Sequence, residues 1–198
     1  DKETETTSET SSEEGWTSSI TPEYLVSFNK KMFVLHLIQG LLMVIVGSTL
    51  DSIKDFKIRL YTFYADFTDL PPAPLIEPAF DFQALGAFVG AFLLMSSWAH
   101  CLLAWPLREK YIDNLKKKYN PIRWWEYAFS SSVMIILIGM FFTIYDVWTL
   151  FAMFVSNFLM NMFGWQMEKL NREGNEGHVD WSPYILGCVA GAVPWIII

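Results

Sequence analysis

Inside long apolar runs, the sequence places a few side chains that could do chemistry. His36 and Gln39 lie in one run, Ser96 and His100 in a second, Glu126 in a third, and Asn157, Asn161 and Glu168 in a fourth. Ser96 and His100 are four residues apart, so on a helix they share a face. A carboxylate and two imidazoles in an apolar setting have two natural uses. They can balance a buried positive charge, or they can take up and pass on a proton. Ionisable groups inside a membrane-spanning helix are costly and by default face the interior of the bundle.

The elements that must position these groups follow from hydropathy. Hydrophobic residues make up 53% of the chain and the mean hydropathy is +0.27, which places it in the membrane class. A bilayer core takes about 20 apolar residues in helical form. Five such spans are expected, at Met32 to Leu50, Phe82 to Leu107, Arg123 to Thr143, Tyr145 to Met167, and Trp181 to Ile198. Pro121 and Pro183 stand where proline is tolerated at a helix entry. The third and fourth spans are separated only around Ile144 to Asp146, a tight helical hairpin, and Asn171 to Gly177 reads as a turn. The expected fold is an all-α integral membrane bundle covering 25–198. An acidic, flexible tail of Thr, Ser and Glu precedes it over 1–24, with no signal-peptide pattern.

Short cytoplasmic loops carry an excess of Lys and Arg. Lys30, Lys31, Arg108, Lys110, Lys116, Lys117, Lys118, Arg123, Lys169 and Arg172 all fall at one end of the expected spans, which places the N-terminus in the cytoplasm. The opposite end has Lys54, Lys57 and Arg59, all in a long first loop over 51–81. The aromatic and β-branched stretch Ile58 to Phe67 in that loop suggests a small extracellular β-hairpin, ended by the run Pro71 to Pro74.

With the spans oriented, depths can be compared at about 1.5 Å per residue. His36 lies five residues inside Lys31, Glu126 five inside Pro121, and His100 seven inside Leu107. All three share one level in the cytoplasmic half, so they could line one cavity. Plainer roles remain open for each residue. A histidine can simply be packed, Glu126 can snorkel or pair with Arg123, and Asn157 and Asn161 can be interhelical hydrogen-bonding groups. Glu168 can be solvated at its helix end. No short zinc motif is present and no metal is expected. Cys101 and Cys188 lie in apolar runs as small hydrophobes. No nucleophile elbow, phosphate loop or dinucleotide fingerprint occurs, so the chain is not expected to be an enzyme. The net charge of −7 excludes nucleic acid as a partner.

The segment Asn120-Pro-Ile-Arg-Trp-Trp-Glu-Tyr-Ala-Phe-Ser-Ser-Ser-Val-Met134 resembles the third-helix signature of heliorhodopsins. The likeness extends to His36-Leu-Ile-Gln39, to Ser96-Ser-Trp-Ala-His100, to Asn157 with Gly164 and Glu168, and to Pro194-Trp195, and covers the chain from about residue 25 to its end. The resemblance implies a rhodopsin-like bundle of seven helices, with the N-terminus in the cytoplasm, a long first extracellular loop and commonly a homodimer in the lipid bilayer. It further implies all-trans retinal held as a protonated Schiff base with Glu126 as counterion. Ser96, His100, His36 and Gln39 would line the adjoining polar cavity and accept the proton. Tyr127, Ser131, Met134, Asn157, Met160, Asn161, Gly164 and Pro194 would lie along the polyene and ring pocket. Light would isomerise the retinal and drive a signalling change.

The family attaches retinal to a lysine of its seventh helix, whereas the lysines here stand at span ends, in loops or in the tail. The run Pro194-Trp-Ile-Ile-Ile198 has no charged stop, so the chain is expected to be part of a longer protein that supplies the lysine. Two alternatives stand beside photosensory signalling. One is light-driven or light-gated proton or ion conduction. The other is a shortened relative without chromophore, serving as a subunit among other membrane proteins.

Overall fold

The computed structural model describes residues 19–68, 70–172 and 178–198. The first eighteen residues of the expected tail, and most of the expected turn at Asn171 to Gly177, lie outside the described residues. The elements run in order α1 (Pro22–Thr49), α2 (Asp51–Lys54), β1 (Ile58–Asp66), β2 (Ala73–Phe82), α3 (Leu85–Ala104), α4 (Arg108–Lys116), α5 (Pro121–Phe141), α6 (Val147–Leu170) and α7 (Ser182–Ile197).

Helix boundaries follow capping chemistry more closely than hydropathy. The first helix begins at Pro22, ahead of the Met32 expected from apolar content and inside the expected tail. Thr21 accepts a hydrogen bond from the Tyr24 N–H at 3.2 Å, Pro22 occupies the first turn, and Glu23 meets the positive end of the helix. The second span stops at Ala104 rather than Leu107, because Pro106 has no N–H to continue the ladder. A short helix, α4, then takes up part of the basic stretch that hydropathy leaves as loop. The fourth starts at Val147, where the Asp146 carboxylate accepts from the Thr149 N–H at 2.7 Å and its hydroxyl at 2.6 Å.

Among the described residues four helices, α1, α3, α5 and α6, are long and apolar enough to cross a bilayer, where five spans are expected. The fifth apolar helix, α7, has 16 residues, about 24 Å at the helical rise.

α1 and α3 pack through glycines. A Cβ added at Gly47 would sit 2.4 Å from the Gly86 Cα, so the two backbones touch where no larger residue fits. Such small-residue contacts are how helices associate in lipid, where burial alone drives nothing. α5 packs between α3 and α6, and α7 lies against α6.

β1 and β2 pair antiparallel, with Arg59 opposite Asp81 and Ala65 opposite Pro74. The proline run does not end the hairpin. It forms the connection and enters the second strand, which also accepts Pro78. Among the described residues the outer edge of β2 pairs with no strand, and there a missing N–H costs no ladder bond. The root of the hairpin plugs one end of the bundle. Ile58 and Leu60 are buried with Ile135, Leu137, Met140, Leu150 and Met153. The Tyr61 N–H donates to the Tyr145 carbonyl at 2.8 Å, and the Trp148 indole N–H to the Thr62 hydroxyl at 3.0 Å.

Gly86→Val should force α1 from α3 and remove about 3 kcal/mol of stability, read as a lowered Tm in detergent; an unchanged Tm would show that the contact is not tight. The Arg59 guanidinium, 2.8 Å from Asp81, holds that carboxyl below its usual range. A depressed carboxyl contributes stability above its unfolded pKa of about 3.9 and loses it as pH falls through the folded value. Protection of the hairpin amides, relative to their intrinsic exchange rates, should therefore fall below about pH 4, and Asp81→Asn should abolish that acid response.

Candidate functional site

The glycine contact brings the polar residues of α1 against those of α3. The His36 and His100 rings stack with centroids 5.6 Å apart and planes 11° from parallel. Ser97 of α3 donates to the Phe33 carbonyl of α1 at 3.0 Å. Asn29, which sequence reasoning missed, is buried on α1 with its Oδ1 2.7 Å from His100 Nδ1. The signal for it was spacing: Asn29 precedes His36 by seven residues, two turns along the same face. Among the described residues the buried His36 Nδ1 has no hydrogen-bond partner.

From α5, Glu126 accepts a hydrogen bond from the Ser96 hydroxyl, one turn before His100. Among the described residues Glu126 makes no direct bond to either imidazole, so the three helices are joined through Ser96. Gln39 stands apart, exposed on α1. Gly40 is the residue that faces α3, against Leu94 and Gly90, and Gln39 is turned about 100° from it.

A second polar group lies on the α5–α6 seam. The Asn157 amide donates to the hydroxyls of Ser131 at 2.7 Å and Ser132 at 3.1 Å. The Asn161 amide donates to Ser131 at 3.2 Å and to the Asn157 carbonyl at 2.9 Å, and Ser131 donates to the Tyr127 carbonyl at 2.5 Å. The Ser131 oxygen thus uses both lone pairs and its proton. Asn157 and Asn161 are buried, while Tyr127 and Met134 are exposed on α5.

Beside this seam a groove of about 410 Å³ runs between α6 and α7, lined by Trp124, Met160, Asn161, Gly164, Gly187 and Gly191. Its walls are apolar apart from Asn161, Tyr184 and Cys188, and Met160 packs against Gly191. Gly164 also seats the Trp124 ring, which a Cβ would meet at 2.2 Å. Pro194 is fully buried in α7. A separate cleft of about 550 Å³ between α3 and α5 has Glu126 as its one charged lining residue, among Met95, Trp98, Trp125 and Phe129.

Glu168 is not a solvated helix end. Its carboxylate accepts from the Trp124 indole at 2.7 Å, from the Asn120 N–H at 3.0 Å and from Arg123 at 3.4 Å, and it is 18% exposed. It therefore closes the start of α5 onto α6, and it takes Arg123 away from Glu126. Glu168→Ala would take the acceptor from all three donors, and a loss of about 3 kcal/mol is expected, with Glu168→Gln recovering part of it in thermal unfolding.

No curated protein matches the chain. A family model described as Heliorhodopsin matches residues 25–198, nearly the whole chain. The chain therefore belongs to the heliorhodopsin family of retinal-binding, photoreceptor-type membrane proteins.

Proposed function

We propose that this chain forms the counterion half of a light-sensing retinal receptor, with Glu126 as the Schiff-base counterion and its N-terminus in the cytoplasm. The observation that carries the reading is the Ser96–Glu126 hydrogen bond one turn from the stacked pair of His36 and His100. Bound retinal supplies the absorption of light and a buried positive charge. The residues present fit such a group: a carboxylate with lone pairs to spare, an apolar groove rich in glycine, and amides on the α5–α6 seam to meet a conjugated chain. In this reading the lysine that holds retinal belongs to a further part of the protein. Lys30, inside α1, lies over the Trp105 ring at 5.8 Å, and Lys169, in the last turn of α6, lies over the Trp165 ring at 5.5 Å.

In this reading Glu126 holds the positive charge in place before illumination. Ser96 fixes the direction of the carboxylate. Once the charge moves, the imidazoles of His100 and His36 are the groups beside it that can store a proton. Signalling is favoured over conduction by the apolar plug at the opposite end, where Leu60, Leu137, Met140, Leu150 and Met153 are buried together. A proton stored on one side of such a plug can bias a change of shape without crossing.

The test is a visible spectrum of the full-length protein reconstituted with retinal, with hydroxylamine added under illumination. A band that bleaches is expected. In Glu126→Gln the band should move, and the pigment should lose its proton at a pH lower by about 1 to 3 units. A variant with an unmoved band and unmoved titration would remove Glu126 from the role.

A further inference from the structure

Asn29 carries an orientation that can be read without ambiguity. It is 4% exposed, and its amide spans two partners. On one side Nδ2 donates to the Leu25 carbonyl at 2.9 Å, one turn back on α1. On the other, Oδ1 lies 2.7 Å from Nδ1 of His100 on α3. Turning the amide over would set Oδ1 against the Leu25 carbonyl, oxygen on oxygen with no proton between them, so the bond to Leu25 fixes which end faces the imidazole. An amide oxygen has no hydrogen to give. The proton in the 2.7 Å contact must therefore belong to His100 Nδ1.

We infer that Asn29 is a positioning residue that locks His100 in the Nδ1–H tautomer and so leaves Nε2 as its basic nitrogen. A neutral imidazole carries one proton on its two nitrogens, and which nitrogen is basic depends on the bond the other makes. When Nε2 takes a proton, its lone pair forms the new N–H bond and the ring gains one positive charge. Nδ1 keeps its own proton and its bond to Asn29. That bond serves both states and becomes charge-assisted in the cation. The ring need not turn to accept a proton, and its stacking on His36 keeps it from doing so freely. The groups around it are His36 and Asn29 from α1, Ser96 and Ser97 on its own helix, and Glu126 of α5 reached through Ser96.

The use of this basic nitrogen as a proton acceptor rests on the receptor reading above, but the tautomer does not, and it can be measured in the dark without pigment. The experiment is nitrogen NMR of the full-length protein with 15N-labelled histidine in bilayers, at a pH where the imidazoles are neutral. His100 is assigned by the loss of its signals in His100→Gln. The expected spectrum has a protonated, pyrrole-type Nδ1 and an unprotonated, pyridine-type Nε2. Asn29→Leu, similar in size but without the acceptor, should shift His100 to a mixture or to the Nε2–H form. Asn29→Asp, which gives up the bond to Leu25 but still offers His100 an acceptor, should retain Nδ1–H. Purely structural loss would disturb both variants alike. Nε2–H in the unaltered protein, or an unchanged tautomer in Asn29→Leu, would overturn the inference. A missing visible band with the Nδ1–H tautomer intact would instead count against the receptor reading alone.

Discussion

The close approach of α1 and α3 at Gly47 and Gly86 sets the distance at which Asn29, Phe33 and His36 of α1 meet the polar groups of α3. Helices whose backbones touch bring short side chains within reach of each other's main chain, and Ser97 bonds the Phe33 carbonyl as a result. Two imidazoles can then stack at 5.6 Å, and an asparagine can span its own helix and a histidine on the next. A leucine at either glycine would separate the axes and leave each group to find its own partner in lipid, where there is none.

The third and fourth spans solve the same problem with polar bonds. At one end Glu168 gathers the Trp124 indole, the Asn120 N–H and Arg123, which pins the start of α5. At mid-length Asn157 and Asn161 share the Ser131 hydroxyl. At the other end the hairpin root and the Asp146 cap fix the α5–α6 turn. α5 is thereby held at three levels, and Glu126 between the first two has a defined place to point.

The neighbourhood of the polar residues was legible in the sequence and azimuth was not. His36 and His100, expected together, do stack, and Glu126 meets Ser96 one turn away, but a one-dimensional pattern does not say that Gly40 faces α3 and that Gln39, one position earlier, turns away. Asn29 was missed because Lys30 and Lys31 look like a membrane boundary. The helix runs through them, started by Thr21 and Pro22. The hairpin's first strand showed in its aromatic and β-branched content, whereas prolines disguised the second. Arg123 and Glu126, three apart, looked like a pair, and only the fold shows that Glu168, far along the chain, takes the arginine.

That exchange bears on what the site can hold. A half-buried carboxylate has about four lone-pair positions, and Ser96 fills one. The guanidinium one turn before Glu126 would be its natural partner, yet it is drawn to Glu168 and lies over the Trp124 ring at 4.7 Å. A carboxylate kept in apolar surroundings with its local cation engaged elsewhere is where an incoming positive charge gains most, because few other charges or waters compete for it. Supplying that charge from a ligand makes the strength of the interaction depend on where the ligand's charge sits. Movement of such a charge would then change the energy of Glu126 and Ser96 and of the nearby histidines that Asn29 and the glycine contact hold in place.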